Sequence, residues 1–358
     1  MSHAAHPSGA KVVLRHKGYV LPPNHGLFDS CHASTLVRLG DGTLLVAYFG
    51  GRREGEGDVA IWLSRGDGST WAAPRRLMAE EGLAHWNPVL FAEGGAVHLF
   101  YKVGPTVHDW TTRWSTSLDG GLTWSAPVPL VAGDTSPRGP VKNKLIRLSS
   151  GEWLAPGSVE TSDVWDAFAD LSADGGKTWV RRDVPFQHRR PAAAGQGGDV
   201  WAGLAAEALW ETNPETVFKW DGVIQPTAWE DGAGVHMLMR STRGSVYRTD
   251  STDLGRSWST AYATALPNNN SGIDLVRTTG GMLALVYNPV AGNWGRRTPI
   301  SLALSPDDGK TWENCLDFET EEGEFSYPAI IEAGGALHVT YTWNRSAIAH
   351  AIVEFTGR

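Results

Sequence analysis

Apolar residues in this chain come in short runs, each bounded by a glycine-bearing turn, and one unit recurs six times. A small or polar residue opens an apolar stretch, a turn follows, and a second apolar stretch runs back. The first unit joins His32-Ala33-Ser34-Thr35-Leu36 to Asp41-Gly42-Thr43-Leu44-Leu45-Val46-Ala47-Tyr48. The second joins Asn87-Pro88-Val89-Leu90 to Gly94-Gly95-Ala96-Val97-His98-Leu99-Phe100-Tyr101. The others open at Lys142-Asn143-Lys144, Gln225-Pro226-Thr227, Ser271-Gly272-Ile273-Asp274 and Tyr327-Pro328-Ala329. Runs this short between turn formers predict strands. Helical periodicity is weak except from Trp201 to Trp210, where alanine-rich sequence predicts one short helix.

A second repeat lies between the units. Ser172-Ala173-Asp174-Gly175-Gly176-Lys177-Thr178-Trp179 has close copies ending at Trp124, Trp258 and Trp312, and a fifth at Trp71 with its Asp displaced by one place. Asp and Ser bond nearby amides, glycine accepts positive φ, and the tryptophan folds back over the corner. The closing tryptophans are spaced 53, 55, 79 and 54 residues apart. About fifty residues hold four short strands and three turns. The array therefore predicts an all-β fold, a six-bladed β-propeller with four-stranded antiparallel blades.

The sixth unit begins near residue 325 and runs out of chain before a corner forms. Lys11-Val12-Val13-Leu14-Arg15 is expected to supply its missing outer strand and close the ring; a linear solenoid would need no such strand. Residues 1–358 then form a single domain, with an insertion at about 186–213. That stretch reads as a surface insertion, with a lid over the site as the alternative.

Composition narrows the partners. Net charge is −8 without a basic block, which argues against nucleic acid, and no apolar stretch reaches membrane-spanning length. Cys31 and Cys315 lie far apart and suggest no disulfide framework, so a cytoplasmic protein is expected. Metal spacing and phosphate-loop patterns are lacking, so no cofactor and no metal are expected. Of the 17 tryptophans only five close corners, leaving twelve for a core or for stacking on flat ligands. Nothing in the sequence fixes the oligomeric state.

In a propeller the innermost strands run along a central channel, so the residues opening the six units converge. These are His32, Asn87, Lys142 to Lys144, Gln225, Asn270 with Asp274, and Tyr327. A scaffold has no use for six different polar groups there, so the set predicts a chemical site. By period two, either Lys142 and Lys144 or Asn143 line the channel. Trp86 offers a face for stacking on a sugar, and the ordinary pKa of His32 suits proton transfer. Glu160 is a candidate base or a salt-bridge partner of Lys142. Asp58, near Arg52 and Arg53, is a candidate general acid or a turn residue.

The repeated Ser-x-Asp-x-Gly-x-Thr-Trp string resembles the Asp-box (BNR repeat) of the sialidase, or neuraminidase, superfamily, and the resemblance runs from about His32 to Trp343. It implies an exo-acting glycoside hydrolase that removes a terminal acidic sugar, sialic-acid-like or uronic. Three arginines would hold the carboxylate, Tyr327 would be the nucleophile, Asp58 the acid, Arg52 a substrate-binding residue and Arg240 the second arginine. His32 stands where the first arginine is expected, Gln225 where the tyrosine-activating glutamate is expected, and Asn270 about where the third arginine would lie. Two alternatives follow from these departures. One is a uronate-glycan lyase acting by β-elimination, with His32 or Tyr327 as base and Arg240 and Lys142 stabilising the enolate. The other is a glycan-binding propeller without catalysis.

Overall fold

The computed structural model describes residues 11–189, 200–205 and 209–356. Strand β1 (Lys11–Leu21) opens the chain. The first sheet in order is β2 (Ser30–Arg38), β3 (Leu44–Gly51), β4 (Ala60–Gly66) and β5 (Arg75–Met78). The second is β6 (Ala84–Glu93), β7 (Ala96–Gly104), β8 (Thr111–Ser117) and β9 (Val128–Pro129). Next come β10 (Ile146–Arg147), β11 (Trp153–Glu160), β12 (Val164–Ser172) and β13 (Val180–Asp183). Two short helices follow, α1 (Ala202–Ala205) and α2 (Pro214–Val217), and then β14 (Asp221–Glu230), β15 (Val235–Ser241), β16 (Ser245–Ser251) and β17 (Tyr262–Pro267). The remaining strands are β18 (Asp274–Arg277), β19 (Leu283–Tyr287), β20 (Ile300–Ser305), β21 (Glu313–Glu319), β22 (Phe325–Ala333), β23 (Ala336–Trp343) and β24 (Ala347–Thr356).

The architecture is a propeller-like arrangement of antiparallel sheets, and it departs from the predicted set of separate blades in one place. There are four four-stranded sheets and one of eight strands, because β12 and β14 pair in parallel at Val164–Asp221 and Trp165–Gly222. Glycine permits this approach: Gly222 has φ 148°, and a Cβ there would overlap the Trp165 carbonyl. The N-terminal strand pairs as expected. β1 runs antiparallel to β24 from Lys11–Thr356 to Leu21–Ile348 and completes the order β1-β24-β23-β22.

The first strands of the sheets pack on one another: β2 on β6 and β22, β22 on β18, and β18 on β14. Apolar residues interleave between neighbouring sheets, as where Val89 and Phe100 meet Leu145, Trp153 and Trp179. The corners hold turns. At Asp174, Oδ1 accepts from Thr178 N and Ser172 Oγ, Gly176 N donates to Ser172 Oγ at 2.8 Å, and Trp179 Nε1 donates to Gly176 O at 2.9 Å. Those bonds favour the ionised carboxylate and hold Asp174 down at about 2.

Each inner edge carries one strained residue that is not glycine. Ala33, Asn87, Lys142, Gln225, Asn270 and Tyr327 all have positive φ, between 44° and 68°. In four cases a register shift brackets it: His32/Thr35, Trp86/Val89, Ile224/Thr227 and Ser326/Ala329. Such bulges bend the strand and re-aim its side chains. The equivalent slot in the first sheet is therefore Ala33, one place beyond the predicted His32.

Among the described residues no helix is long and apolar enough to cross a membrane, and no group of three or more His, Cys, Asp or Glu is placed to hold a metal ion. Cys31 and Cys315 are free. Of the predicted insertion, residues 190–199 and 206–208 lie outside the described set, as do residues 1–10.

Candidate functional site

Gln225, Asn270 and Tyr327, each at positive φ, reach one guanidinium, that of Arg240 on β15, which is 2% exposed. Its Nη1 donates to Tyr327 Oη at 2.5 Å and to Gln225 Oε1 at 3.3 Å. Its Nε donates to Asn270 Oδ1 at 3.0 Å, and its Nη2 to the Asn270 carbonyl and Oδ1. Trp165 and Trp294 flank it, with ring centroids 5.6 and 5.9 Å from the guanidinium carbon. These acceptors are amide, carbonyl and hydroxyl oxygens, so among the described residues no carboxylate bonds this buried positive charge directly.

Two further arginines share the site, and neither was named from the sequence. Arg297 Nη1 donates to Glu324 Oε1 at 2.7 Å, its guanidinium lies 3.8 Å from the Trp201 ring centroid and 5.6 Å from that of Tyr327, and its Nη2 is buried without a partner. Arg345, on the turn between β23 and β24, bonds Glu324 through Nε at 3.0–3.1 Å and Glu54 through Nη1 at 2.6 Å. Burial works against the charge on Arg345, but Glu324 and Glu54 outweigh it and raise the pKa above its ordinary value. His32 and Asn270 stand where the first and third arginines were expected, and two cations from elsewhere in the chain lie beside Tyr327 and His32. The cations arrive from β20's approach loop and from the β23–β24 turn, while Asn270 orients Arg240.

The other sequence candidates divide. Trp86, Asn87, Glu160, Gln225, Arg240 and Tyr327 line one cavity, together with Glu54 and further tryptophans. Glu160 is buried, accepts from Ser158 Oγ at 2.8 Å, and burial raises its pKa. His32 stacks on Tyr327 with centroids 4.1 Å apart, and its Nε2 lies 3.4 Å from Arg345 Nη2. Burial, then Arg345, Arg297, Arg240 and Lys142, push its pKa well below 6.5. The surrounding cations thus favour the neutral imidazole at His32.

Asp58 and Arg52 do not line the cavity. Asp58, 41% exposed at its side chain, accepts from Arg52 N at 3.1 Å, and the 69% exposed Arg52 side chain pairs with Glu56 at 2.7 Å. Glu54, on the same loop, is the carboxylate that reaches inward. Arg345 holds Glu54 inward at 2.6 Å, while Asp58 is held by the loop's own Arg52 N–H.

Lys142, Asn143, Lys144 and Asp274 form a separate bonded plug. Lys142 Nζ donates to Asn143 Oδ1, to Ile273 O and to the Pro328 carbonyl, and burial pulls its pKa down to about 7. Asn143 Nδ2 donates to Gln225 O and Pro226 O, and Lys144 grips Asp274 at 2.7 Å. Asp274 also accepts from Thr227 Oγ1 and Ile330 N. All three residues of the Lys-Asn-Lys run point to interior partners, because positive φ at Lys142 breaks the period-two alternation. Glu160 is no partner of Lys142.

Leu209 and Trp210, within the expected insertion, help to line the cavity. Trp201, Leu204, Leu209 and Trp210 cluster with Trp165, Trp220, Ile224 and Trp294. Trp210 stacks on Trp220 with centroids 5.7 Å apart. The space that water can occupy in this cavity is about 30 Å³.

A family model described as BNR repeat-like domain matches residues 42–339. Among curated proteins none matches the sequence. Similar solved structures include a protein of unknown function from Dyadobacter fermentans, with TM-score 0.71 and 12% identity over 96% of this chain and 99% of that one. A Hadza microbial sialidase gives TM-score 0.72 and 16% identity over 94% and 68% of the two chains. A Trypanosoma rangeli sialidase in complex with the inhibitor DANA gives 0.68 and 12% over 96% and 60%, so this chain spans about three fifths of that one. At these identities the likeness is one of fold.

Proposed function

The chain belongs to the BNR repeat-like domain family, and from that premise we propose that it is an exo-acting glycoside hydrolase that takes a terminal acidic sugar. The fold reading that goes with this is six blades in a closed ring, the eight-stranded sheet being two blades joined at Trp165–Gly222. The observation that carries the function is Arg240: a buried cation that no carboxylate bonds among the described residues, 2.5 Å from the Tyr327 hydroxyl. A substrate carboxylate supplies the missing countercharge there, with the unpaired Nη2 of Arg297 as a second donor.

In this reading Tyr327 passes its proton to the Glu54 carboxylate and attacks the anomeric carbon, Arg240 stabilising charge on its oxygen, while the leaving-group oxygen takes a proton from Glu160. Water then attacks the glycosyl-tyrosine, giving its proton to Glu160, and the tyrosine leaves and recovers its own. Glu54 and Glu160 are the two carboxyl groups on the cavity wall. Glu160 is the better acid, since burial favours its protonated form. Gln225 in place of a base beside Tyr327 favours a second reading, elimination from a uronate, which needs no activated nucleophile.

The test offers sialosides and uronic-acid oligosaccharides, reading both released reducing sugar and the ultraviolet absorbance of an unsaturated product. Hydrolysis abolished by Tyr327→Phe and by Arg240→Met supports the proposal. Turnover that survives Tyr327→Phe overturns the assigned nucleophile, and an absorbing product favours elimination.

A further inference from the structure

Four tryptophans on the cavity wall, Trp86, Trp110, Trp165 and Trp220, have buried indole N–H groups with no acceptor among the described residues, as do Trp229 and Trp258 away from it. A buried donor without a partner costs about 1–3 kcal/mol, and native proteins keep few of them. Other buried indoles show how the fold employs an N–H that braces the chain. Trp179 donates to Gly176 O at 2.9 Å and Trp294 to Val217 O at 3.1 Å. Four orphans on one wall, beside a guanidinium with an orphan Nη2 near Tyr327, amount to a surface built of unused donors.

Some acceptors on the same wall are already engaged, Glu160 Oε1 by Ser158 among them. Gln225 Oε1 takes an Arg240 N–H, and Glu54 Oε2 takes one from Arg345. A free hydroxyl accepts but also brings a hydrogen that needs an acceptor of its own. An ether or ester oxygen brings none, and its methyl or methylene groups suit indole faces.

We propose that the tryptophan wall is a subsite for an acidic sugar whose hydroxyl groups are capped as ethers or esters, the indole N–H groups donating to the capping oxygens. This rests on the acidic-sugar reading and specifies its substrate. A wall of donors discriminates by what it leaves unpaired: a capped sugar satisfies the orphans, whereas a polyol strands its own hydrogens.

The experiment is calorimetric titration of the full chain with the methyl glycosides of glucuronic acid and N-acetylneuraminic acid, each with free and with O-methylated or O-acetylated hydroxyls. The expected result is at least tenfold tighter binding of a capped form, with the preference falling below threefold in Trp86→Phe and Trp165→Phe. These variants keep a ring and remove the N–H. Each is compared with Trp110→Phe, so that one misfolded variant does not decide the outcome. Equal or tighter binding of the free sugars, or a preference unchanged in all three variants, overturns the subsite and leaves the acidic-sugar reading standing. Failure of every acidic sugar to bind, capped or free, overturns both.

Discussion

Glu324→Gln isolates the carboxylate on which the arginine cluster depends. Glu324 is buried and holds Arg297 at 2.7 Å and Arg345 at 3.0–3.1 Å, while Ser326 Oγ donates to it at 3.1 Å. The amide keeps the shape and one acceptor oxygen, so the change removes charge without opening a cavity. Removing one partner of a buried ion pair costs about 3–5 kcal/mol, because the other charge stays buried and uncompensated. Two guanidiniums lose their countercharge here, but Arg345 keeps Glu54 at 2.6 Å and the amide oxygen still accepts one bond. The expected loss is therefore at the lower end, about 3–4 kcal/mol. Urea unfolding followed by tryptophan fluorescence measures it. With a slope of about 3 kcal/mol per molar, the midpoint falls by roughly 1 M. Glu354→Gln is the control, since its pair with Arg15 is exposed on both sides and an exposed pair contributes about 0–1 kcal/mol. A loss below about 1 kcal/mol for Glu324→Gln, with unchanged slope, refutes the claim that this carboxylate holds the cluster together.

Two other outcomes follow from the same geometry. His338 and His350 face each other in the sheet that β1 completes, Nδ1 to Nε2 at 3.2 Å, and burial, then His338 and His16, lower His350 from 6.5 to about 3. The folded state thus binds protons less readily than the unfolded one, so stability is fully present above pH 6.5 and is lost as pH falls through the window toward 3, at about 1.4 kcal/mol per pH unit for this one group. Unfolding midpoints measured from pH 7 downward should show that slope, and His350→Phe should flatten it. Gly55 has φ 86°, and a Cβ there would sit 2.7 Å from the Trp210 Cβ. Gly55→Ala is expected to cost about 1–3 kcal/mol and to shift the emission of the stacked Trp210–Trp220 pair, whereas unchanged emission argues against Trp210 lining the cavity.

Much of the fold was legible because its signals are local. Ser172, Asp174 and Gly176 bond one another within a single turn, so a short string suffices to announce the corner wherever it recurs. The six inner-edge openings were legible for a related reason: a repeated unit repeats its bulge, and five of the six expected positions carry the positive φ. The first slot was missed by one residue, since His32 is the more conspicuous side chain and Ala33 the one that turns.

The arginine cluster was not legible in this way. Arg297 and Arg345 lie on turns with no repeated string around them, and they meet only because two strands of different sheets end beside Tyr327. A signal did exist in Glu324, a carboxylate two residues before Ser326 that a buried strand cannot leave uncountered. Spacing along the loop also says nothing about which of its carboxylates lines the cavity, which here is Glu54 while Asp58 is half-exposed. The sequence by itself determined the repeated corners, the strand units and the pairing of the two chain ends, all of which depend on residues near one another or on a pattern that repeats. Tertiary structure alone decided which cations surround the tyrosine, that Trp201 packs against two of them, and that the third and fourth units share hydrogen bonds. Those outcomes depend on where distant segments come to rest, and burial then selects which charges must be paired and which donors are left open for a ligand.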